Sequence, residues 1–101
     1  MTNNTNFTQA LEKNLKILEQ YVPIVARVHG GTHPEFHEVR KLFDEIDGKI
    51  KKAKAEAPEL GAEFVKLREI TNNYTVPTDV CESFEAVYKM LSELDEAYLE
   101  K

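Results

Sequence analysis

Cysteine, histidine and tryptophan are scarce in this 101-residue chain: it has one Cys, three His and no Trp. A single cysteine excludes an internal disulfide framework and suits a reducing cytoplasm. Four glycines and four prolines are too few to interrupt long helices. Positive charge is also short, with 13 Lys and Arg against 18 Asp and Glu, a net charge of -5. Nucleic-acid and anionic-membrane surfaces need clustered Lys and Arg, so neither is expected as a partner. No apolar run approaches the roughly 20 residues of a membrane span. Met1 to Thr8 carries no basic side chain, so it does not read as a secretory signal. The expectation is one domain over residues 1–101, with residues 1–6 a flexible N-terminus and the cytoplasm as its location.

What is present is helical periodicity. Phe7, Leu11, Leu15, Leu18, Val22, Val25 and His29 recur at steps of three and four, which defines a helix with one buried face. Asn6 is its expected N-cap, with Gln9 three residues on. Gly30 and Gly31 are expected to end it in the left-handed conformation. Pro23 conflicts with the stripe and predicts a kink or break. A second stripe, Phe36, Val39, Phe43, Ile46, Ile50 and Ala53, follows Thr32-His33-Pro34-Glu35, where Thr32 caps and Glu35 completes a capping box. Gly48 weakens that helix. Ala57-Pro58-Glu59 restarts a third helix, with Leu60, Phe64, Leu67 and Thr71 inward and Asn72-Asn73 as its end. Thr78 caps a fourth, with Val80, Phe84, Val87, Leu91, Leu94 and Tyr98 inward. The spacing predicts helices over 7–29, 34–54, 58–72 and 78–100. No strand-like alternation competes. Short loops make neighbouring helices antiparallel, so the expected fold class is all-α, an antiparallel up-down four-helix bundle. Apolar stripes longer than the third helix can cover predict a homodimer.

All three histidines fall in His29-Gly-Gly-Thr-His33-Pro-Glu35-Phe-His37. Imidazole and carboxylate together suit iron or zinc, so His29, His33, Glu35 and His37 are the candidate metal ligands. The alternative is that His33 and His37 are exposed first-turn residues and His29 a hydrogen-bonded residue at the end of the bundle. Cys81, in the expected first turn of the fourth helix, is a candidate reactive thiol, because a helix N-terminus stabilises a thiolate. The alternative is a small apolar residue. The four tyrosines read as packing groups, and Glu93, Asp95, Glu96 and Glu100 as a solvated face. No nucleophile–base pair, phosphate loop or paired-carboxylate motif points to an enzyme.

Two stretches carry a family resemblance. Val25-Ala26-Arg27-Val28-His29-Gly30-Gly31-Thr32-His33-Pro34-Glu35 resembles a segment of the hemerythrin-like domain of the iron–sulfur cluster repair di-iron proteins. Ile70-Thr71-Asn72-Asn73-Tyr74-Thr75-Val76-Pro77, followed by Cys81 and Tyr88, resembles a second segment of the same family. The resemblance implies a hemerythrin-like bundle with a role in cluster repair and the nitrosative or oxidative stress response. It also implies a di-iron site of histidines from all four helices and bridging glutamates. Here Phe7 and Thr8 stand where the family has a His pair. Ala53 and Ala57 stand at further His positions, and the chain stops at Lys101, near the last one. The segment joining the second and third helices is shortened. No cofactor is therefore expected in the bundle core. Any metal is expected as weakly bound iron or zinc at the His29/His33/His37 end. The function expected from the resemblance is that of a non-catalytic accessory protein with a protein partner; the alternatives are a metal-binding protein with a rearranged His/Glu site at a dimer interface and a structural protein-interaction module.

Overall fold

Apolar side chains at steps of three and four can leave water together only if the backbone is helical and the stripes face one another. The computed structural model, which describes residues 4–53 and 59–99 and side chains from Phe7 onward, has that form. Helix α1 runs Asn4–His29, α2 Glu35–Ala53, α3 Gly61–Ile70 and α4 Glu82–Leu99. No strand occurs among the described residues. Leu18, Phe36, Phe43, Ile46, Phe64, Leu67, Phe84, Val87, Leu91 and Leu94 are buried and form one core. Each contributes about 1.5–3 kcal/mol relative to an exposed position. The body is elongated, 42 × 22 × 22 Å.

Helices α1 and α4 lie side by side. Phe7, near the start of α1, packs on Tyr98 with ring centroids 5.5 Å apart. His29, at the end of α1, packs on Phe84 in the first turn of α4. Lys51 of α2 reaches Glu19 of α1 at 2.7 Å, and Lys49 of α2 reaches Glu63 of α3 at 2.7 Å. Arg68 of α3 donates to Asp95 of α4 at 2.8 Å.

Local chemistry differs from expectation in several places. Helix α1 is continuous through Pro23, so no break occurs there. A proline inside a helix removes one backbone bond and costs about 3 kcal/mol. Burial of Val22, Val25 and Ala26 beside it outweighs that cost. Asn6 lies inside α1 and is not its cap, and residues 4–6 are helical. Neither Gly30 nor Gly31 has a positive φ. Gly30 is required for space instead: a Cβ there would run into the Ala26 carbonyl and the His37 ring. Thr32 does not cap α2; its hydroxyl donates to the His29 carbonyl at 3.4 Å, and Glu35 turns to His33.

Helix α3 begins at Gly61, because the buried Leu60 donates its backbone N–H to the Tyr98 hydroxyl at 3.0 Å and is held out of the helix. Thr78 does not cap α4. The Cys81 carbonyl accepts the first helical bond, from Glu85 N at 3.2 Å, so Cys81 precedes the helix. Positions 54 and 100, the restart at Ala57-Pro58, and Lys101 lie outside the described residues, as do residues 1–3.

The left-handed conformation appears where no glycine stands. Asn72, Asn73 and Tyr74 have φ of 53°, 57° and 62°. Asparagine tolerates this region, whereas a bulky residue adopts it only under constraint. Thr71 Oγ1 accepts Tyr74 N at 2.8 Å, and Thr75 Oγ1 donates to the Asn72 carbonyl at 2.6 Å. These bonds supply part of the constraint, and the Tyr74 hydroxyl adds a bond to Asp95 at 2.8 Å.

Candidate functional site

The end of α1, the loop after it and the approach to α4 meet at one end of the molecule. His29 Nε2 lies 3.1 Å from Cys81 Sγ, across 52 positions of sequence. Loop residues fold over the end of α1: Thr32 N and His33 N both donate to the His29 carbonyl, at 3.2 and 2.8 Å. That turn brings the His33 ring onto Phe84 as well. Phe84, fully buried, has the His29 and His33 rings each at 5.5 Å, Phe36 at 4.9 Å and Tyr88 at 4.8 Å. One phenyl ring thus sets the positions of both imidazoles.

His33 is bound at both nitrogens. Nδ1 lies 3.1 Å from Glu35 Oε2, and Nε2 lies 3.1 Å from Asp79 Oδ1. Desolvation works against the charged ring, but hydrogen bonds to Glu35 and Asp79, with their negative charge, outweigh it and raise the pKa. The charged imidazolium, a donor at both nitrogens, is the form these two acceptors favour. Burial, with the charge of Glu35 added, pushes the Tyr88 phenol up to about 12. Tyr88 is therefore a neutral packing group at physiological pH, in line with the reading of the tyrosines as packing groups.

The four expected ligands do not converge. Glu35 and Asp79 lie on opposite sides of the His33 ring, so no single ion can sit between all three. His29 turns to Cys81, and the exposed His37 ring packs against Gly30. Among the described residues, no three His, Cys, Asp or Glu side chains form a group able to hold a metal ion. In the middle of the bundle, Leu18, Phe43, Ile46, Phe64, Leu67, Val87 and Leu91 are all buried and offer no nitrogen or oxygen ligand. Two buried carboxylate oxygens lack a hydrogen-bond partner, Asp47 Oδ1 and Glu63 Oε1. The other oxygen of each carboxylate is held by a lysine, at 3.3 Å from Lys51 and 2.7 Å from Lys49. All histidines lie between positions 29 and 37, away from both. The residues of this core do not fit a di-iron group.

Cys81 is exposed. An imidazole nitrogen lies 3.1 Å from its sulfur, an arrangement in which a nucleophilic or metal-ligating group stands beside a potential base. Nitrogen and sulfur are also donors that zinc accepts, though two fall short of its usual four. The sequence pointed to each residue alone and missed their pairing. It also missed Asp79 as the partner of His33, since nothing local marks a contact 46 positions away.

A buried polar network lies at the other motif. Asp95, read as part of a solvated face, is buried. It accepts Arg68 Nε at 2.8 Å, Arg68 Nη2 at 3.4 Å and the Tyr74 hydroxyl at 2.8 Å. Burial and the Asp95 charge raise the Tyr74 phenol far above its ordinary value.

The chain matches no known protein-family profile, and no solved structure matches it. No helix among the described residues is long and apolar enough to cross a membrane.

Proposed function

We propose that this chain is an antiparallel up-down, hemerythrin-like bundle acting as a non-catalytic accessory protein in iron–sulfur cluster repair and the nitrosative or oxidative stress response. The observation that supports this is the meeting of the two stretches on which the resemblance rests. His29 and His33 belong to the first and reach Cys81 and Asp79, in and beside the second, at 3.1 Å each. Residues whose pattern points to one family form one continuous surface at one end, which suits recognition of a protein partner. A second reading, weakly held iron or zinc at that end, draws on the imidazole–thiol pair as the first two donors, with a partner chain completing the set.

Homodimerisation is part of this reading. Ile17, Ile24 and Val28 are 41%, 49% and 63% exposed. They lie seven and four positions apart, a second apolar stripe on α1 turned away from the core.

The test is recovery of an iron–sulfur dehydratase after nitric oxide damage, in extracts of cells depleted of this protein. Recovery is expected to be slow, to be restored by adding the purified chain, and not to be restored by the chain with His29→Ala and His33→Ala together. Unchanged recovery on depletion overturns the accessory role. Elemental analysis of the purified chain separates the two readings: iron or zinc removed by chelator and absent from the His29→Ala variant supports the metal-binding one.

A further inference from the structure

Between α1 and α2 lies a depression of about 370 Å³ lined by Pro23, Ile24, Ala26, Arg27, His37 and Arg40. This is within the size range of small-molecule sites. The lining divides by chemistry. Pro23, Ile24 and Ala26 are apolar, Arg27, His37 and Arg40 are basic, and no carboxylate takes part.

Two of the chain's three arginines therefore share one depression. The third, Arg68, is held by the Asp95 carboxylate. Arg27, His37 and Arg40 make no ion pair among the described residues, and neither do the exposed Lys16, Lys41, Lys52 and Lys66; what sets the first three apart is that they line one depression. Two guanidiniums border one space, and an anion between them meets both positive charges, with the His37 ring beside it as a further hydrogen-bonding group.

The imidazole is also positioned. The His37 ring occupies the space where a Gly30 side chain would stand, so the end of α1 fixes it at the rim. Arg27 comes from the last turn of α1, and His37 and Arg40 come from neighbouring positions at the start of α2. Guanidinium forks match the oxygens of a phosphoryl group in geometry and number of donors. A dianion balances two arginines where a monocarboxylate leaves one unmatched.

We infer that this depression binds a phosphate monoester carrying a small apolar group, its phosphoryl oxygens between Arg27, His37 and Arg40 and its apolar group on Pro23 and Ile24. The site is separate from the His29–Cys81 end, and the inference does not rest on the proposed function; Ile24 also belongs to the exposed α1 stripe proposed for dimerisation, so the ligand and a second copy compete for it.

The test is titration of the full chain with phenyl phosphate at constant ionic strength, followed by backbone and arginine side-chain nitrogen–proton NMR. Saturable shifts are expected, confined to residues 23–27 and 37–40. Arg27→Gln with Arg40→Gln is expected to weaken binding at least about tenfold, with an unchanged circular dichroism spectrum because both side chains are exposed. Arg40→Gln alone gives a smaller loss and keeps the test valid if the double variant misfolds. Lys52→Gln with Lys66→Gln, exposed lysines elsewhere, leaves binding unchanged. Benzoate, with one charge, and inorganic phosphate, with no apolar group, each bind about fivefold more weakly or worse. Shifts that do not saturate, spread over surface lysines or persist in the arginine variants overturn the inference. Benzoate or inorganic phosphate binding as tightly as phenyl phosphate overturns the ligand class. Binding to phosphatidic acid vesicles without binding to phenyl phosphate overturns the soluble ligand.

Discussion

The Tyr74 hydroxyl donates a 2.8 Å hydrogen bond to Asp95 Oδ2 and holds Tyr74 in a left-handed backbone conformation with φ of 62°. The same carboxylate receives Arg68 from α3. One buried acid on α4 thereby fixes the end of α3 and the turn that follows it.

Tyr74→Phe removes one hydrogen bond to a buried charge and keeps the ring. A loss of about 1.5–3 kcal/mol is expected in urea unfolding, because bonds to charged groups exceed neutral ones. A double-mutant cycle with Asp95→Asn is expected to give a coupling of about 1 kcal/mol. Additive losses would mean that the bond contributes nothing to stability.

The glycines separate three physical effects. Gly30→Ala is expected to destabilise by about 1–3 kcal/mol, because its Cβ meets the Ala26 carbonyl and the His37 ring. A Cβ added at Gly31 or Gly48 meets open space, and neither glycine has a positive φ. Gly48→Ala, inside α2, is expected to stabilise by about 0.5–1 kcal/mol. Gly31→Ala is expected to be neutral or to gain about 0.4 kcal/mol through the unfolded state. Thermal unfolding of the three variants gives the order directly, and a tolerated Gly30→Ala contradicts the packing of His37.

His33 links stability to pH. Its folded pKa is raised above the ordinary 6.5, so the charged ring favours the folded state. That contribution is complete below pH 6.5, where the unfolded ring is also charged, and is lost as pH rises through the higher folded value. The melting temperature of the wild type relative to His33→Gln is therefore expected to fall with rising pH between about pH 6 and 8. A difference that is constant across this range would show that the Glu35 and Asp79 contacts do not discriminate the charged ring.

Cys81 and His29 are expected to behave as a pair. His29→Ala leaves the thiol exposed but removes the base at 3.1 Å. Alkylation by iodoacetamide at neutral pH is expected to slow about tenfold. Equal rates would mean that the contact does not activate the thiol.

The exposed stripe on α1 gives a test of association. Sedimentation at high protein concentration is expected to show a dimer that Ile24→Glu converts to monomer, since a charge on that stripe must be desolvated on assembly. A monomeric wild type removes the dimer.

Periodicity in the sequence determined that the described residues form four helices, and it marked many of the side chains that fill the centre. Leu11, Leu15, Ile50 and Val80 of the expected stripes are only partly buried, however, and Leu42 and Met90, outside them, are buried. Phe43, Ile46, Phe64, Leu67, Val87 and Leu91 are buried as their spacing requires, because a helical stripe can leave water in only one direction. Helix ends were less legible. Pro23, Thr32 and Thr78 carry local signals that long-range contacts override: burial of Val22 and Val25, the pull of Glu35 toward His33, and the tie of Asp79 to His33. The candidate site was legible only as separate residues. His29 and Cys81 were both marked, and their contact was not, because the hydrogen bond joins positions 52 apart. Tertiary structure alone decided which donors meet, that Asp95 is buried, and that Arg27 and Arg40 share a depression without a carboxylate. Apolar burial follows a repeat that one segment carries by itself. Polar contacts depend on distances between segments, which exist only once the helices have packed.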